Sequence, residues 1–167
     1  YQNYGLVHVQ DSKVSMENCH IRHSEYHGIT VVDEGQFSSF TGNSIASVGE
    51  SAIAISSEYA HTIGVGNELD ALMGIQVKGR HITESVTWHR QSVPYYLLQN
   101  VNVGSSTGAV LTLEPGVEIR MGKNAALTFG YGDKPLGTLM AEGSPSDHIV
   151  ITSAAATPSP GDWEYIR

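Results

Sequence analysis

The 167-residue chain is 40% hydrophobic and only 16% charged, which excludes a disordered tail. Nine Lys plus Arg against 17 Asp plus Glu leave a formal net charge of −8, too poor in cations for a phosphate-rich nucleic acid. A single cysteine, Cys19, rules out an intrachain disulfide, and no apolar run is long enough to span a bilayer.

Eighteen glycines among runs of Val, Ile, Thr and Ser point to many short strands joined by tight turns. The 8 histidines equal the net negative charge, so mildly acidic medium removes the self-repulsion that favours solubility.

From the N-terminus, Val7-His8-Val9, Ile29-Thr30-Val31, Ile53-Ala54-Ile55 and Ile75-Gln76-Val77 recur at spacings of 22, 24 and 22. A second column holds Val14-Ser15-Met16, Phe37 to Phe40, and Thr62-Ile63. A third holds Cys19-His20-Ile21, Asn43-Ser44-Ile45 and Asn67-Glu68-Leu69, spaced by 24 and 24. Three interleaved columns with one period predict a solenoid of three short strands per coil. Within each triplet the outer residues are apolar, so period-two alternation sends them inward as aliphatic ladders. The middle residues His8, Thr30, Ala54 and Gln76 then form a solvent-facing column, where Ala54→Asp is expected to be nearly neutral. Asn43 and Asn67 each follow a glycine and predict a turn or an internal side-chain ladder, with ligand binding as the alternative. Cys19, in the same phase, reads as a small inward residue.

Residues 1–79 thus read as coils. The ladder lapses over 80–96, a seam or linker with Trp88, Pro94, Tyr95 and Tyr96, and 97–167 reads as further coils of a second repeat type. There Val110 to Leu113 is β-prone, Pro115-Gly116 suits a type II turn, and Val117/Ile119, Leu127/Phe129 and Ile149/Ile151 resume the alternation. Pro158, Pro160 and Gly161 mark a loop before Trp163.

The stretch MENCHIRHSEYHGITV, followed by FTGNSIASVGESAIAIS, resembles the repeats of pectate-lyase-like proteins. The second half resembles a block recurrent in large bacterial surface and secreted proteins, through Glu114-Pro115-Gly116, Gly137 to Gly143, Ile149 to Ser153 and Gly161-Asp162-Trp163. It departs from that block at Ile151, where an aromatic is usual, and in the inserted-looking 130–135. The resemblance implies a right-handed parallel β-helix, all-β, and a secreted or cell-surface location. Lyases of that fold need a Lys or Arg base and often calcium, so a calcium ion belongs only to the lyase alternative; no cofactor is otherwise expected.

Candidate chemistry is sparse. Lys13, Arg22, Lys78 and Arg80 show no pairing across coils, and the six aspartates are scattered singly, without the neighbouring acids of a glycosidase. His20, His23 and His27 are the most metal-like group, although strand and turn patterning sets them apart. Tyr59, Trp88, Tyr95 and Tyr96, with Tyr26 and Tyr131, fall at turns or the seam, where aromatic faces either stack on sugars or cover the core. The pattern begins in mid-repeat at Tyr1 and ends inside a strand at Arg167; uncapped ends of this kind invite end-to-end self-association. The reading is a non-catalytic scaffold or recognition segment of a larger secreted or cell-surface protein, with polysaccharide as the partner. The alternative is a fragment of a polysaccharide lyase or glycoside hydrolase.

Overall fold

The computed structural model describes residues 4–167, so the start of the pattern at Tyr1 lies outside the described residues. The first winding contributes β1 (Val7–Gln10), β2 (Lys13–Glu17) and β3 (His20–Ser24). The second contributes β4 (Ile29–Val32), β5 (Gln36–Thr41) and β6 (Ser44–Val48). In the third, β7 (Ile53–Ser56) leads to a 3-10 turn (Ala60–Thr62) and β8 (Glu68–Ala71). Then follow β9 (Ile75–Lys78), β10 (His81–Ile82) and β11 (Val86–Trp88), and after them β12 (Tyr95–Leu97), β13 (Val101–Val103) and β14 (Ala109–Leu113). The sixth winding holds β15 (Glu118–Met121), β16 (Leu127–Phe129) and β17 (Gly137–Ala141), and β18 (Val150–Ser153) opens a seventh.

Every named strand pairs in parallel with its counterpart one winding away, which makes the chain a parallel β-helix. The longest wall is a seven-stranded sheet in the order β1-β4-β7-β9-β12-β15-β18. Val7, Ile29, Ile53, Ile75, Tyr95, Ile119 and Ile151 occupy one register position along it. From Ile29 to Ile119 this ladder is fully enclosed, and each such side chain contributes about 1.5–3 kcal/mol by leaving water.

The segment 80–96 does not interrupt this wall: Tyr95, Tyr96 and Leu97 pair directly with Ile75, Gln76 and Val77. What changes there is the cross-section. The sheet β3-β6-β8 ends, and a new sheet, β10-β13-β16, begins. Between β5 and β11 the wall is bridged by the 3-10 turn, which packs on both strands. The sequence pattern lapses because the chain exchanges one wall for another, and 80–96, read as a seam or linker, carries β10, β11 and the start of β12 within the stack.

The left-handed turns that close the first windings recur at Asn18 (φ 54°), Gly42 (φ 65°) and Gly66 (φ 75°). Directly after them lies an asparagine ladder. Asn67 Oδ1 accepts from the Asn43 backbone N–H at 3.0 Å and from Asn43 Nδ2 at 3.2 Å, and Asn43 Oδ1 accepts from the Cys19 N–H at 2.9 Å. Both asparagines are buried, so the ladder is internal and satisfies the backbone at a corner. Cys19 occupies its outer end, where the thiol sits half-buried against the Glu17 carbonyl rather than in the core. The type II turn at Glu114-Pro115-Gly116-Val117 forms as expected, with Gly116 at φ 84° and the Val117 N–H donating to Glu114 O at 3.1 Å.

One expectation fails on the outer face. Thr30 and Ala54 belong to the outward column, yet they are 3% and 0% exposed. The small Ala54 is shadowed by Thr30 and Gln76, its neighbours in register, and the Thr30 hydroxyl accepts from the Gly5 N–H at 2.7 Å. An acid at Ala54 therefore costs stability instead of being neutral. Ile166 forms an isolated parallel bridge with Leu127 beside the β10-β13-β16 wall.

Candidate functional site

The outward column of the seven-stranded sheet runs His8, Thr30, Ala54, Gln76, Tyr96, Arg120, Thr152. Two hollows lie along it, and they adjoin where Gln76 stands beside Tyr96.

The C-terminal hollow is a cleft of about 850 Å³ that includes Leu72, Tyr96, Leu98, Arg120, Lys123 and Asp162 in its lining. Its outer wall is the chain that follows β18, from Ala154 to Pro158. The Arg120 guanidinium lies 5.5 Å from the Tyr96 ring centroid, donates from Nη1 to the Tyr96 hydroxyl at 2.8 Å and from Nε to Glu118 at 2.7 Å. Stacking and two hydrogen bonds fix the plane of the guanidinium and leave part of its donor fork for a ligand. Leu72 and Leu98 are exposed and give the rim an apolar edge. Asp162 is turned inward: the Ser153 hydroxyl and the Ser159 N–H, both at 2.7 Å, hold its carboxyl below the usual range. Glu118 is paired with Arg120 and Asp162 is bonded to its own loop, which among the described residues leaves Lys123 as the cation of this lining with no carboxylate bonded to it.

The N-terminal hollow, about 560 Å³, is lined by His8, Gln10, His27, Asp33, Glu50 and Lys78, among others. His27 is buried; its Nδ1 is 2.8 Å from the Ser51 hydroxyl and its Nε2 is 3.4 Å from Glu50 Oε2. Burial lowers the imidazole's affinity for a proton, Glu50 raises it and Lys78 lowers it, and the net direction is down. The unfolded chain takes up this proton near 6.5, whereas the folded chain takes it up only at lower pH. His27 thus supports the fold fully above about 6.5, and that support is lost as pH falls through the folded-state value. His61 acts in the same direction, again through burial first. Urea midpoints should therefore drop between about pH 7 and about pH 5, and His27→Gln should flatten that slope; an unchanged slope in the variant would contradict the assignment.

The structure separates the three histidines offered as a metal group. His20 and His23 stay exposed on β3, while His27 turns into the hollow, and among the described residues no cluster of three potential ligands forms. The aromatic candidates divide as well. Trp88 and Tyr95 are 0% and 1% exposed and stack on each other at 5.1 Å, so neither presents a face to a sugar. They lie inward because each belongs to a strand whose period-two phase continues the core. Tyr59 is half-buried and donates to Glu34, an interaction that pushes its phenol up to about 12. Of the four, Tyr96 alone lies on the outward column and lines a hollow with cations, but it too is buried, at 6% exposed, and its ring lies under Arg120.

Lys13 and Arg22 remain on exposed strand positions. Arg80 pairs at 3.7 Å with both Glu34 and Glu58, and Lys78 lines the N-terminal hollow. Sequence reasoning did not single out Arg120, Lys123 or Asp162. Extending the outward column beyond Gln76 by the same period finds the first of these.

Among the described residues no helix is long and apolar enough to cross a membrane. No family model, curated protein or solved structure matches the chain in the comparisons made.

Proposed function

We propose that the chain is a non-catalytic recognition scaffold of a larger secreted or cell-surface protein, and that it holds an extended acidic polysaccharide along the outer face of its longest sheet. The observation that carries this reading is the C-terminal cleft, where an exposed apolar rim and Lys123 lie beside Arg120, whose guanidinium is held in place by Tyr96 on the outward column. A pyranose ring suits the exposed leucine rim, and a sugar carboxylate suits the fork of Arg120 that Tyr96 holds in place. The sheet adds reach, because six strand spacings of about 4.8 Å make a track of about 29 Å.

The test is calorimetric titration with an oligomer of galacturonic acid, followed in parallel by the ultraviolet absorbance of unsaturated product. Binding without turnover is expected. Arg120→Gln should weaken it at least tenfold, in line with the loss of a charge-assisted hydrogen bond of about 1.5–3 kcal/mol. Unchanged binding in that variant would remove the cleft from the account, and growing absorbance would establish the lyase alternative.

A further inference from the structure

The N-terminal hollow has a charge balance unlike that of the cleft. Among the described residues Asp33 and Glu50 are its carboxylates, Lys78 is its one fixed cation, and His8 and His27 are its imidazoles. Tyr4 closes the side beside His8, with the two rings edge to face at 4.4 Å, and Glu25 and Tyr26 precede His27 on its own turn. Gln10, Thr30 and Gln76 complete the polar floor without charge. With both imidazoles neutral the two carboxylates outweigh Lys78 by one charge; two protons reverse the sign. Imidazole is the side chain suited to change charge between pH 5 and 8. Among the described residues the cleft around Arg120 and Lys123 has no histidine in its lining.

We propose that the N-terminal hollow is a second, proton-gated subsite that engages an anionic saccharide group only when His8 and His27 are protonated. This rests on the recognition reading given above and adds regulation to it. Near neutral pH the hollow repels an acidic chain, which is held at the cleft alone; in mildly acidic medium the same chain is held at both ends of the sheet. Linkage makes the effect reciprocal: an anion in the hollow favours the imidazolium forms, so binding takes up protons. Burial and Lys78 oppose protonation of His27 more than the neighbouring Glu50 supports it, so an anion in the hollow supplies the charge that favours the imidazolium.

The experiment is titration of the whole chain with a galacturonic acid oligomer and with a neutral xylose oligomer, at about pH 5.5 and about pH 7.5. Each titration is run in two buffers of different ionisation enthalpy, so that proton uptake is read directly. Affinity for the acidic oligomer should rise about tenfold at the lower pH, a coupling of ordinary size, with net proton uptake on binding. His8→Gln, at an exposed position, should remove part of that rise, and His27→Gln should remove more. If His27→Gln fails to fold, proton uptake by the unaltered chain and the His8→Gln result still decide the matter. Equal affinity at both pH values with Arg120-dependent binding intact would overturn the gating and leave the recognition reading standing. An equal rise for the neutral oligomer would also overturn it, and no binding of either oligomer at either pH would remove both proposals.

Discussion

Ile53→Asp should abolish folding or lower stability by several kcal/mol. Ile53 is completely enclosed and stands in register between Ile29 and Ile75, themselves fully buried. A carboxylate there meets aliphatic side chains above and below, with no partner for its charge, and the lost transfer energy of the isoleucine adds to that cost. Arg22→Asp, at an exposed position on β3, should stay within about 0.5 kcal/mol of the parent in the same urea titration. If the two variants unfold at similar urea concentrations, the inward phase of the ladder is wrong.

Asn67→Ala should cost about 2–5 kcal/mol although it removes few atoms. Asn67 accepts from the Asn43 backbone N–H and side-chain amide, and donates to Phe40 O at 3.1 Å and Gly64 O at 2.8 Å. Gly64 O keeps a bond from Gln91 Nε2, and Asn43 Nδ2 keeps its bond to Met16 O. The Asn43 N–H and the Phe40 carbonyl lose the side-chain partner the ladder gives them, and each buried polar group left unpaired costs about 1–3 kcal/mol. A loss below about 0.5 kcal/mol in equilibrium unfolding would mean that the ladder is dispensable.

The first three windings were legible because their lengths are nearly constant. Equal spacing puts like residues in one column, and the columns at Val7, Ile29, Ile53 and Ile75 coincide with the observed register. The asparagine ladder was legible for the same reason, helped by the glycines before Asn43 and Asn67. Beyond Gln76 the outward positions continue at Tyr96, Arg120 and Thr152, with a wider final step. Loops 130–135 and 142–149 lengthen that last winding, and its period no longer matches the earlier ones. The exchange of walls at β10 hid the continuity of 80–96, since a short two-residue strand carries almost no alternation.

Burial on the outer face was misread for a different reason. Period two assigns a side chain to a face of the sheet, but it does not say what stands over that face. Ala54 is a small residue between the larger Thr30 and Gln76, and Thr30 carries the Gly5 backbone N–H on its hydroxyl, so their exclusion from water follows from what stands beside them. The aromatic residues show the same limit. Trp88 and Tyr95 share the sequence neighbourhood of Tyr96, yet they are core while Tyr96 reaches the cleft. Trp88 Nε1 is buried without a hydrogen-bond partner among the described residues, and its ring stacks on Tyr95.

The candidate site was less legible than the fold because its residues come from successive windings and from the turns between them. No local motif marks such a site. Arg120 acquires its role from Tyr96, 24 residues earlier, and His27 from Ser51, 24 residues later. Only the register makes those pairs neighbours.

The stacking of windings is open to direct measurement by electron–electron dipolar spectroscopy. Spin labels placed through His8→Cys and Thr152→Cys, in a Cys19→Ser background, mark the first and last positions of the outward column. Six parallel spacings predict one narrow distance distribution centred near 29 Å, widened only by the label arms. A centre below about 15 Å, or a broad distribution, would show that successive windings do not lie one above another.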